Sequence, residues 1–410
     1  MNTDNNYSRI SINFTILVAA LGYFVDVFDL IIFSIVRNES LHDLGIESSD
    51  SLVIGLKLLN FQLVGVVIGG FIWGIVGDKR GRLAVLFGSI ILYSVANLAN
   101  AFVHTEEAYI ICRLLAGLGL AGELGAGVVL VTELLNKGGK RGYGTMLIAG
   151  IGLLGAVFAA WISTQMHWRN VFLVGGMMGL ILLIMRLGVQ ESKLYLDIRH
   201  APIRKGDIIH LFSSWKRSGK YFKCIFVDTH MYFVVGILLT GSPEIAKALN
   251  VTPLPSAGLV IGIAYFAMSI GDFASGWLSQ QIKSRKKALF IFHIMSLIAI
   301  TIFLYVPSPT KDIFLAKASF LGFSIGSWAI INVNAAEQFG TNLRALAATT
   351  IPNLIRALLI PISYIFNILI PHYGIINSAA VIGICAVFIS LFTLKFMEET
   401  FDKEMQDIEN

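Results

Sequence analysis

The chain has 410 residues, of which 56% are hydrophobic and 14% are charged, and its net charge is +5. Its mean hydropathy is +0.75. Soluble domains are about 25% charged, so this composition excludes a soluble multidomain enzyme. The basic residues fall between hydrophobic segments instead of on one folded face, which argues against a nucleic-acid partner.

Apolar runs of about 20 residues, the length that crosses a bilayer, recur along the whole chain. They predict an all-α membrane protein with twelve transmembrane helices. Polar residues interrupt two of the runs, 221–241 and 313–335. The predicted helices are 13–36, 52–76, 83–103, 108–135, 142–165, 168–188, 221–241, 256–280, 288–306, 313–335, 346–369 and 373–397.

The distribution of basic residues predicts the topology. Most of the 31 lysines and arginines lie in segments that share one side of the membrane when the N-terminus is placed inside. The positive-inside rule therefore places both termini in the cytoplasm. The basic loop 189–220 separates an N-terminal six-helix half, 1–188, from a C-terminal six-helix half, 221–397. An acidic cytoplasmic tail, 398–410, follows.

An internal repeat supports the division into two halves. A shift of about 202 residues aligns several short segments of the first half with segments of the second. Two parallel, pseudo-symmetric six-helix halves around a central site are a known plan of secondary transporters. The matched positions are Phe24-Val25-Asp26 with Phe226-Val227-Asp228, Gly74 with Gly276, Glu133 with Glu337, and Arg141 with Arg344.

The loop between the second and third predicted helices contains Gly74-Ile-Val-Gly-Asp78-Lys-Arg80-Gly81-Arg82. It resembles the signature loop of the major facilitator superfamily, G-x-x-x-D-x-x-G-R-[KR], although Leu83 departs from the last position. In that family the loop latches the inward gate. The residues assigned to gating are Gly74, Asp78, Arg80, Gly81 and Arg82, together with Glu133, Arg141, Glu337 and Arg344.

Two further segments resemble the metabolite:proton symporter branch of that superfamily, which includes permeases for proline and betaine, citrate and 2-oxoglutarate. The fourth helix follows the branch pattern R-x-x-x-G-x-x-x-G-G-E-x-G from Arg113 through Glu123, with Ala121 in place of one glycine. The first helix contains Asp26-Val-Phe-Asp29-Leu where the branch has E-W-[FY]-D-F. Asp replaces Glu there, and Val27 replaces Trp.

Ionisable groups at membrane depth cost at least about 2.5 kcal/mol and need a partner or a cavity. Asp26 and Asp29 are three residues apart and share a helix face. Resemblance to proton-coupled members implies that a first-helix carboxylate paired with Arg113 couples proton movement to transport. Asp29 is the first choice, with Asp26 and Glu123 as alternates. The alternative, for Asp29 with Arg113 and for Glu123, is a fixed ion pair that only holds helices together.

The eleventh helix carries Arg356 within Pro352-Asn353-Leu-Ile-Arg356. An unpaired arginine at this depth is costly, so Arg356 meets either an acidic side chain or an anionic substrate. Asp228, near the centre of the seventh helix, is the obvious internal partner.

Three further residues complete the predicted substrate site, which also contains Arg356, Asp228 and Asn353. His230, on the seventh helix, either relays protons or is simply hydrogen-bonded. Trp328 and Asn332 share a face of the tenth helix and are expected to line a cavity, unless Trp328 packs against lipid.

The sequence contains no Walker loop, dinucleotide fingerprint, zinc-ligand spacing or nucleophile elbow in a credible context. No cofactor or metal is therefore expected, and the proton gradient is the expected driving force. These features predict a monomeric secondary transporter of the bacterial inner membrane that takes up a small carboxylate or zwitterionic metabolite with protons. The alternatives are a proton antiporter that exports metabolites or drugs and a non-transporting nutrient sensor of the same fold. A membrane-embedded enzyme is disfavoured because no catalytic constellation is present.

Overall fold

The computed structural model describes residues 2–47, 51–134, 141–188, 191, 196, 206–340 and 342–401. The secondary structure in these ranges is helical. The first half of the chain contains α1 (Asn2–Asp43), α2 (Ser51–Arg80), α3 (Arg82–Asn100), α4 (Glu106–Leu120), α5 (Glu123–Leu134), α6 (Arg141–Ile162) and α7 (Trp168–Met185), followed by a 3-10 turn, Arg186–Gly188.

The second half is helical as well and includes one π-helical segment. Its elements are α8 (Ile208–Phe212), α9 (Trp215–Phe226), α10 (Thr229–Phe233), the π segment (Val234–Leu239), α11 (Ser242–Ala248), α12 (Ala257–Gln281), α13 (Arg285–Tyr305), α14 (Lys311–Ser324), α15 (Trp328–Glu337), α16 (Arg344–Ala357) and α17 (Leu359–Lys395).

Eleven helical stretches within the described ranges are long and apolar enough to cross a membrane. The last stretch, Arg344–Lys395, has 52 residues, which is long enough for the two predicted helices 346–369 and 373–397. Gly374, at φ 73°, breaks α17 near the start of the second, a conformation that glycine adopts without steric cost. The predicted twelve-helix membrane fold is thereby confirmed.

Three of the predicted continuous helices are interrupted by two or more turn or irregular residues, and the eleventh is interrupted at Leu358 alone. The fourth turns at Ala121 and Gly122, between α4 and α5. The seventh breaks at Asp228, whose φ and ψ are −130° and 35°, and then continues into the π segment. The tenth breaks between α14 and α15. Broken helices in transporters characteristically border a binding site.

The backbone groups that these breaks release are satisfied by other helices, as the low-dielectric interior requires. The carbonyl of Ala121 accepts a hydrogen bond from Nδ2 of Asn353, 2.9 Å away on α16. The backbone N–H of Ala329, at the start of α15, donates to Oδ1 of Asp272 over 3.1 Å. Sequence patterns do not reveal such partners, which is why the breaks were not predicted.

Glycines bring the helices into backbone contact. A Cβ at Gly117 would overlap the carbonyl oxygen of Gln62, so α4 and α2 pack directly against each other. A Cβ at Gly155 would likewise overlap the carbonyl oxygen of Phe24, between α6 and α1. Small residues at such positions drive association where lipid supplies no hydrophobic force. The two halves meet through α2 against α16 and α6 against α12.

The segment after α17 folds back onto the start of α13. Glu399 accepts hydrogen bonds from Ser284 Oγ over 2.5 Å, from the N–H of Arg285 over 2.9 Å and from the N–H of Lys286 over 3.3 Å. Burial acts to raise the pKa of Glu399, but the Ser284 hydroxyl and these backbone N–H groups hold it below its usual value. A carboxylate at a helix N-terminus is stabilising because of the helix dipole.

Glu399→Gln is expected to loosen this contact by about 1 kcal/mol or less, because the carboxylate remains solvent-exposed. The lowered pKa means that the contact is complete above the ordinary carboxyl pKa and weakens as the pH falls through the lowered value. Hydrogen exchange of the Arg285 and Lys286 amides should then be up to about fivefold faster. Glu398→Gln is the matched control, and equal exchange rates in the two variants would contradict the capping role.

Candidate functional site

Arg356 lies at the centre of the molecule on α16 and is fully buried. Its Nε donates to the hydroxyl of Tyr232 over 3.0 Å, and its Nη1 donates to Oδ1 of Asn353 over 3.2 Å. The guanidinium carbon is 5.9 Å from the centre of the Trp328 ring. Two aromatic side chains, Tyr232 and Trp328, therefore lie beside a guanidinium that is hydrogen-bonded along one edge.

The remaining edge of the guanidinium faces Asp26 of α1. Nη2 of Arg356 is 3.6 Å from Oδ2 of Asp26, which makes an ion pair but no hydrogen bond. Both Asp26 oxygens and Arg356 Nη2 are buried without a hydrogen-bond partner among the described residues. The ion pair joins the two halves, and its hydrogen-bonding capacity is free for another group.

This pairing corrects the expectation that Asp228 is the internal partner of Arg356. Oδ1 of Asp228 is instead 3.7 Å from Nδ1 of His230. The helix break at Asp228 changes the direction of the chain there, and the hydroxyl of Tyr232 contacts Arg356 instead.

Asp29 and Arg113 do not form the expected close pair within the described part of the chain. Arg113 donates from Nη2 to Oδ1 of Asn97 over 2.9 Å, and its guanidinium carbon is 4.8 Å from the centre of the Phe172 ring. Both oxygens of Asp29 are buried without a hydrogen-bond partner among the described residues. Asp29 on α1 and Arg113 on α4 both belong to the first half.

Glu123 forms a buried, two-pronged ion pair with Arg186. Arg186 Nη1 is 2.8 Å from Glu123 Oε1, Nη2 contacts the other carboxylate oxygen, and Ser89 Oγ donates to Oε1 over 2.9 Å. This arrangement favours the fixed ion pair that the sequence analysis left open. The Arg186 partner could not be predicted because it lies 63 positions from Glu123 along the chain, and only helix packing brings the two together.

Two of the predicted substrate-site residues, Trp328 and Asn332, lie on α15. Trp328 is fully buried, which excludes packing against lipid. Its Nε1 has no hydrogen-bond partner among the described residues, and neither does Oδ1 of Asn332. The Asn332 side-chain nitrogen bonds back to the Trp328 carbonyl over 2.7 Å. A bound molecule with polar groups would satisfy the two free atoms.

Asp78 closes the predicted cytoplasmic end. Its carboxylate accepts hydrogen bonds from the N–H groups of Ala345 over 3.1 Å and Leu346 over 2.9 Å, at the start of α16 in the other half. Gly74 packs against Leu346, where a Cβ would lie only 3.0 Å from its Cα. Gly81 has a φ of 102° and makes the turn into α3.

The other gating candidates have varied surroundings. Arg82 lies 3.8 Å from Asp78, whereas Arg80 is exposed. Glu337 is 3.4 Å from Arg285, and Arg344 donates to the Ala336 carbonyl over 3.3 Å. The side chains of Glu133 and Arg141 lie outside the described part of the structure.

At the opposite end, Arg37 of α1 and Glu244 of α11 form an ion pair of 2.7 Å across the halves. Contacts between the halves are thus present on both sides of the Asp26–Arg356 ion pair.

Asp78→Asn is expected to favour opening of the predicted cytoplasmic end. Hydrogen bonds to a charged acceptor are worth roughly 1.5–3 kcal/mol each. The ratio of closed to open protein should therefore fall by about tenfold or more, which corresponds to roughly that energy. A cysteine introduced at the buried position 346 (L346C) should then react faster with a soluble thiol reagent. Arg80→Gln, which changes an exposed charge in the same loop, is the control. Equal labelling rates in both variants would refute the latch.

Comparison with known proteins shows the family to which this chain belongs. The model of the Major Facilitator Superfamily matches residues 19–363. The chain belongs to the Major Facilitator Superfamily. A Haemophilus influenzae protein named for metabolite transport is 27% identical over 83% of this chain and 84% of its own length. The niacin transporter NiaP of Acinetobacter baylyi is 23% identical over 82% of each chain.

The fold is also that of a solved transporter. The proton:xylose symporter XylE of E. coli superimposes with a TM-score of 0.76 over 98% of each chain, at 17% identity. The resemblance to the superfamily is confirmed, and the protein is a membrane transporter of small metabolites, not an enzyme.

Proposed function

We propose that this transporter takes up a small carboxylate or zwitterionic metabolite together with protons, by alternating access. The observation that carries the proposal is the Arg356–Asp26 pair, in which the charges lie 3.6 Å apart without a hydrogen bond. A substrate carboxylate would satisfy the unused Nη2 of Arg356 with a charge-assisted hydrogen bond, the strong class of such bonds.

The same pair supplies a route to coupling. With Asp26 ionised, its negative charge attracts Arg356 and repels an incoming anion. A proton on Asp26 removes that charge and leaves Arg356 to the substrate. Proton and carboxylate thereby favour each other's binding, and such mutual preference is reciprocal by linkage. Loss of the proton on the other side of the membrane would release the substrate.

Asp26 is the coupling residue in this proposal because it faces the opposite half. Asp29, the first choice from the sequence, lies in the first half together with Arg113, and halves that rock against each other would not separate the two charges. Its role in coupling stays a prediction from the sequence. In this proposal, Arg113 and Glu123 have a structural role and hold the helices of the first half together.

The surroundings of Arg356 favour a carboxylate on a planar ring. Trp328 and Tyr232 stand edge to face with their ring centres 6.0 Å apart, beside the guanidinium. Aromatic walls with a few polar groups are typical of small-molecule sites. The similarity to a transporter named for niacin, an aromatic carboxylate, agrees with this substrate class. Trp328 Nε1 and Asn332 Oδ1 would bond to further polar groups of the ring.

We also propose a transport cycle, a driving force and a cellular location for the protein. The halves would rock about the central site, with Asp78 closing one end and the Arg37–Glu244 ion pair the other. The proton gradient is the driving force, and this cycle needs no cofactor. The expected location is the bacterial inner membrane, with both termini in the cytoplasm and the protein working as a monomer.

Uptake into proteoliposomes tests the proposal. With an inward proton gradient, aromatic monocarboxylates should accumulate above their external concentration, while xylose and aromatic amines should not. Dissipating the gradient with a protonophore should abolish accumulation but leave exchange. Efflux driven by the inward proton gradient would establish antiport instead. The absence of counterflow for every compound would indicate a sensor.

A further inference from the structure

Asp228, His230 and His293 form a buried cluster in the second half, apart from Arg356. One ligand atom of each lies within 4.8 Å of those of the other two. His293 comes from α13, and its ring centre is 4.7 Å from that of His230 on α10. All three residues are buried, with at most 1% of each residue exposed. The function proposed above makes no use of this cluster.

The hydrogen bond of His293 determines its tautomer. Nε2 of His293 is 2.8 Å from the backbone carbonyl oxygen of Val227. A carbonyl only accepts, so Nε2 carries the proton and Nδ1 carries the lone pair. Nδ1 is buried and has no hydrogen-bond partner among the described residues. His293 therefore presents an unused electron pair inside the protein.

The neighbour of His230 determines the tautomer of that ring as well. Nδ1 of His230 is 3.1 Å from Oγ of Ser390. Ser390 donates its own proton to the carbonyl oxygen of Ala386 over 3.0 Å. The hydroxyl therefore accepts from His230, whose Nδ1 is protonated and whose Nε2 carries the lone pair.

Asp228 completes the cluster with an acceptor that lacks a partner. Its Oδ2 is buried without a hydrogen bond among the described residues. No lysine or arginine in the described ranges forms an ion pair with it, and its Oδ1 is 3.7 Å from Nδ1 of the neutral His230 ring. An ionised carboxylate in such surroundings is costly unless a cation accompanies it.

We propose that Asp228, His230 and His293 bind a divalent transition-metal ion of the Zn²⁺ class. Two imidazoles and one carboxylate are ligands that this class prefers. Each imidazole donates its other N–H to an oxygen, as metal-bound histidines almost always do. Closing the cluster to metal-ligand distances of about 2.0–2.2 Å requires side-chain movements of roughly an ångström. The ion would join α10 to α13 inside one half.

Sequence spacing does not reveal this site. Asp228 and His230 are two residues apart, but His293 lies on a helix more than 60 positions later, as the numbering shows. Zinc-site patterns rely on short spacings between pairs of ligands, and only the packing of α10 against α13 supplies the third ligand.

Cobalt binding to the purified full-length protein tests the proposal. After chelator treatment, Co²⁺ should produce visible absorption bands at about one equivalent, Zn²⁺ should displace it, and both ions should raise the Tm. His293→Gln keeps an N–H in reach of the Val227 carbonyl but removes the Nδ1 ligand. It should weaken binding at least tenfold, and Asp228→Asn should do the same.

The control is a surface site of similar composition. His167 Nε2 lies 3.2 Å from Asp43 and 3.7 Å from Glu39, and its side chain is 46% exposed. His167→Gln should leave the cobalt bands unchanged. The proposal is overturned if the wild type shows no bands, if only His167→Gln loses them, or if both cluster variants bind as tightly as the wild type. Should one cluster variant fail to fold, the other decides.

Discussion

Arg356→Ala is expected to lower the uptake of carboxylate substrates by roughly a hundredfold, which corresponds to about 2.7 kcal/mol. The proposed pair between Arg356 and the substrate carboxylate is hydrogen-bonded, and removing one partner of such a buried pair typically costs about 2–5 kcal/mol or more. In this protein the change takes away the anchor for the carboxylate and also leaves Asp26 without its counter-charge. Initial uptake rates in proteoliposomes measure the effect.

Two comparisons make the Arg356 experiment specific. Arg356→Lys keeps the charge but loses the planar guanidinium, which donates hydrogen bonds to both Tyr232 and Asn353. It should therefore recover only part of the uptake rate. Neutral analogues of the same substrates should lose much less than the carboxylates in Arg356→Ala. Equal losses for charged and neutral compounds would mean that Arg356 has a structural role only.

Asp26→Asn is expected to abolish accumulation driven by the proton gradient while substrate exchange continues. The amide has nearly the shape of the carboxylate but does not take up a proton at the pH of a transport experiment. It therefore mimics the protonated state permanently. Exchange needs only the loaded carrier to change its orientation, whereas accumulation needs the proton to leave. Uptake with and without a pH gradient separates the two activities.

Asp29→Asn is the matched comparison, since it makes the same change one turn along α1. Under the proposal it retains gradient-driven accumulation, although its transport rate falls if Arg113 is disturbed. If Asp29→Asn alone abolishes accumulation, Asp29 is the coupling residue, as the resemblance to proton-coupled relatives implies.

Much of the fold could be predicted because lipid imposes simple rules. Twelve apolar runs predicted the twelve helices, and the sequence of the loop around Asp78 indicated the superfamily. The helix breaks could not be predicted, since a continuous apolar run has the same pattern whether or not Asn353 satisfies the carbonyl of Ala121. Gly155 permits backbone contact between α1 and α6, a role that depends on the neighbouring helix.

The presence of charges inside the helices could be predicted residue by residue, but their pairing could not. Charges inside apolar runs identified Asp26, Asp228 and Arg356. Their partners depend on how distant segments pack, so Asp228 was wrongly matched to Arg356. Tyr232 and His293 were missed because an aromatic or a single histidine in a buried helix is common; only their contacts show that they matter.

Proton uptake on substrate binding tests the central claim most directly. Substrate is added to purified protein in weakly buffered solution with a pH indicator. If Asp26 takes a proton as Arg356 binds the carboxylate, the wild type should bind close to one proton per substrate, and Asp26→Asn should bind substrate without taking up protons. Substrate binding without proton uptake by the wild type, or undiminished uptake by Asp26→Asn, would contradict the account.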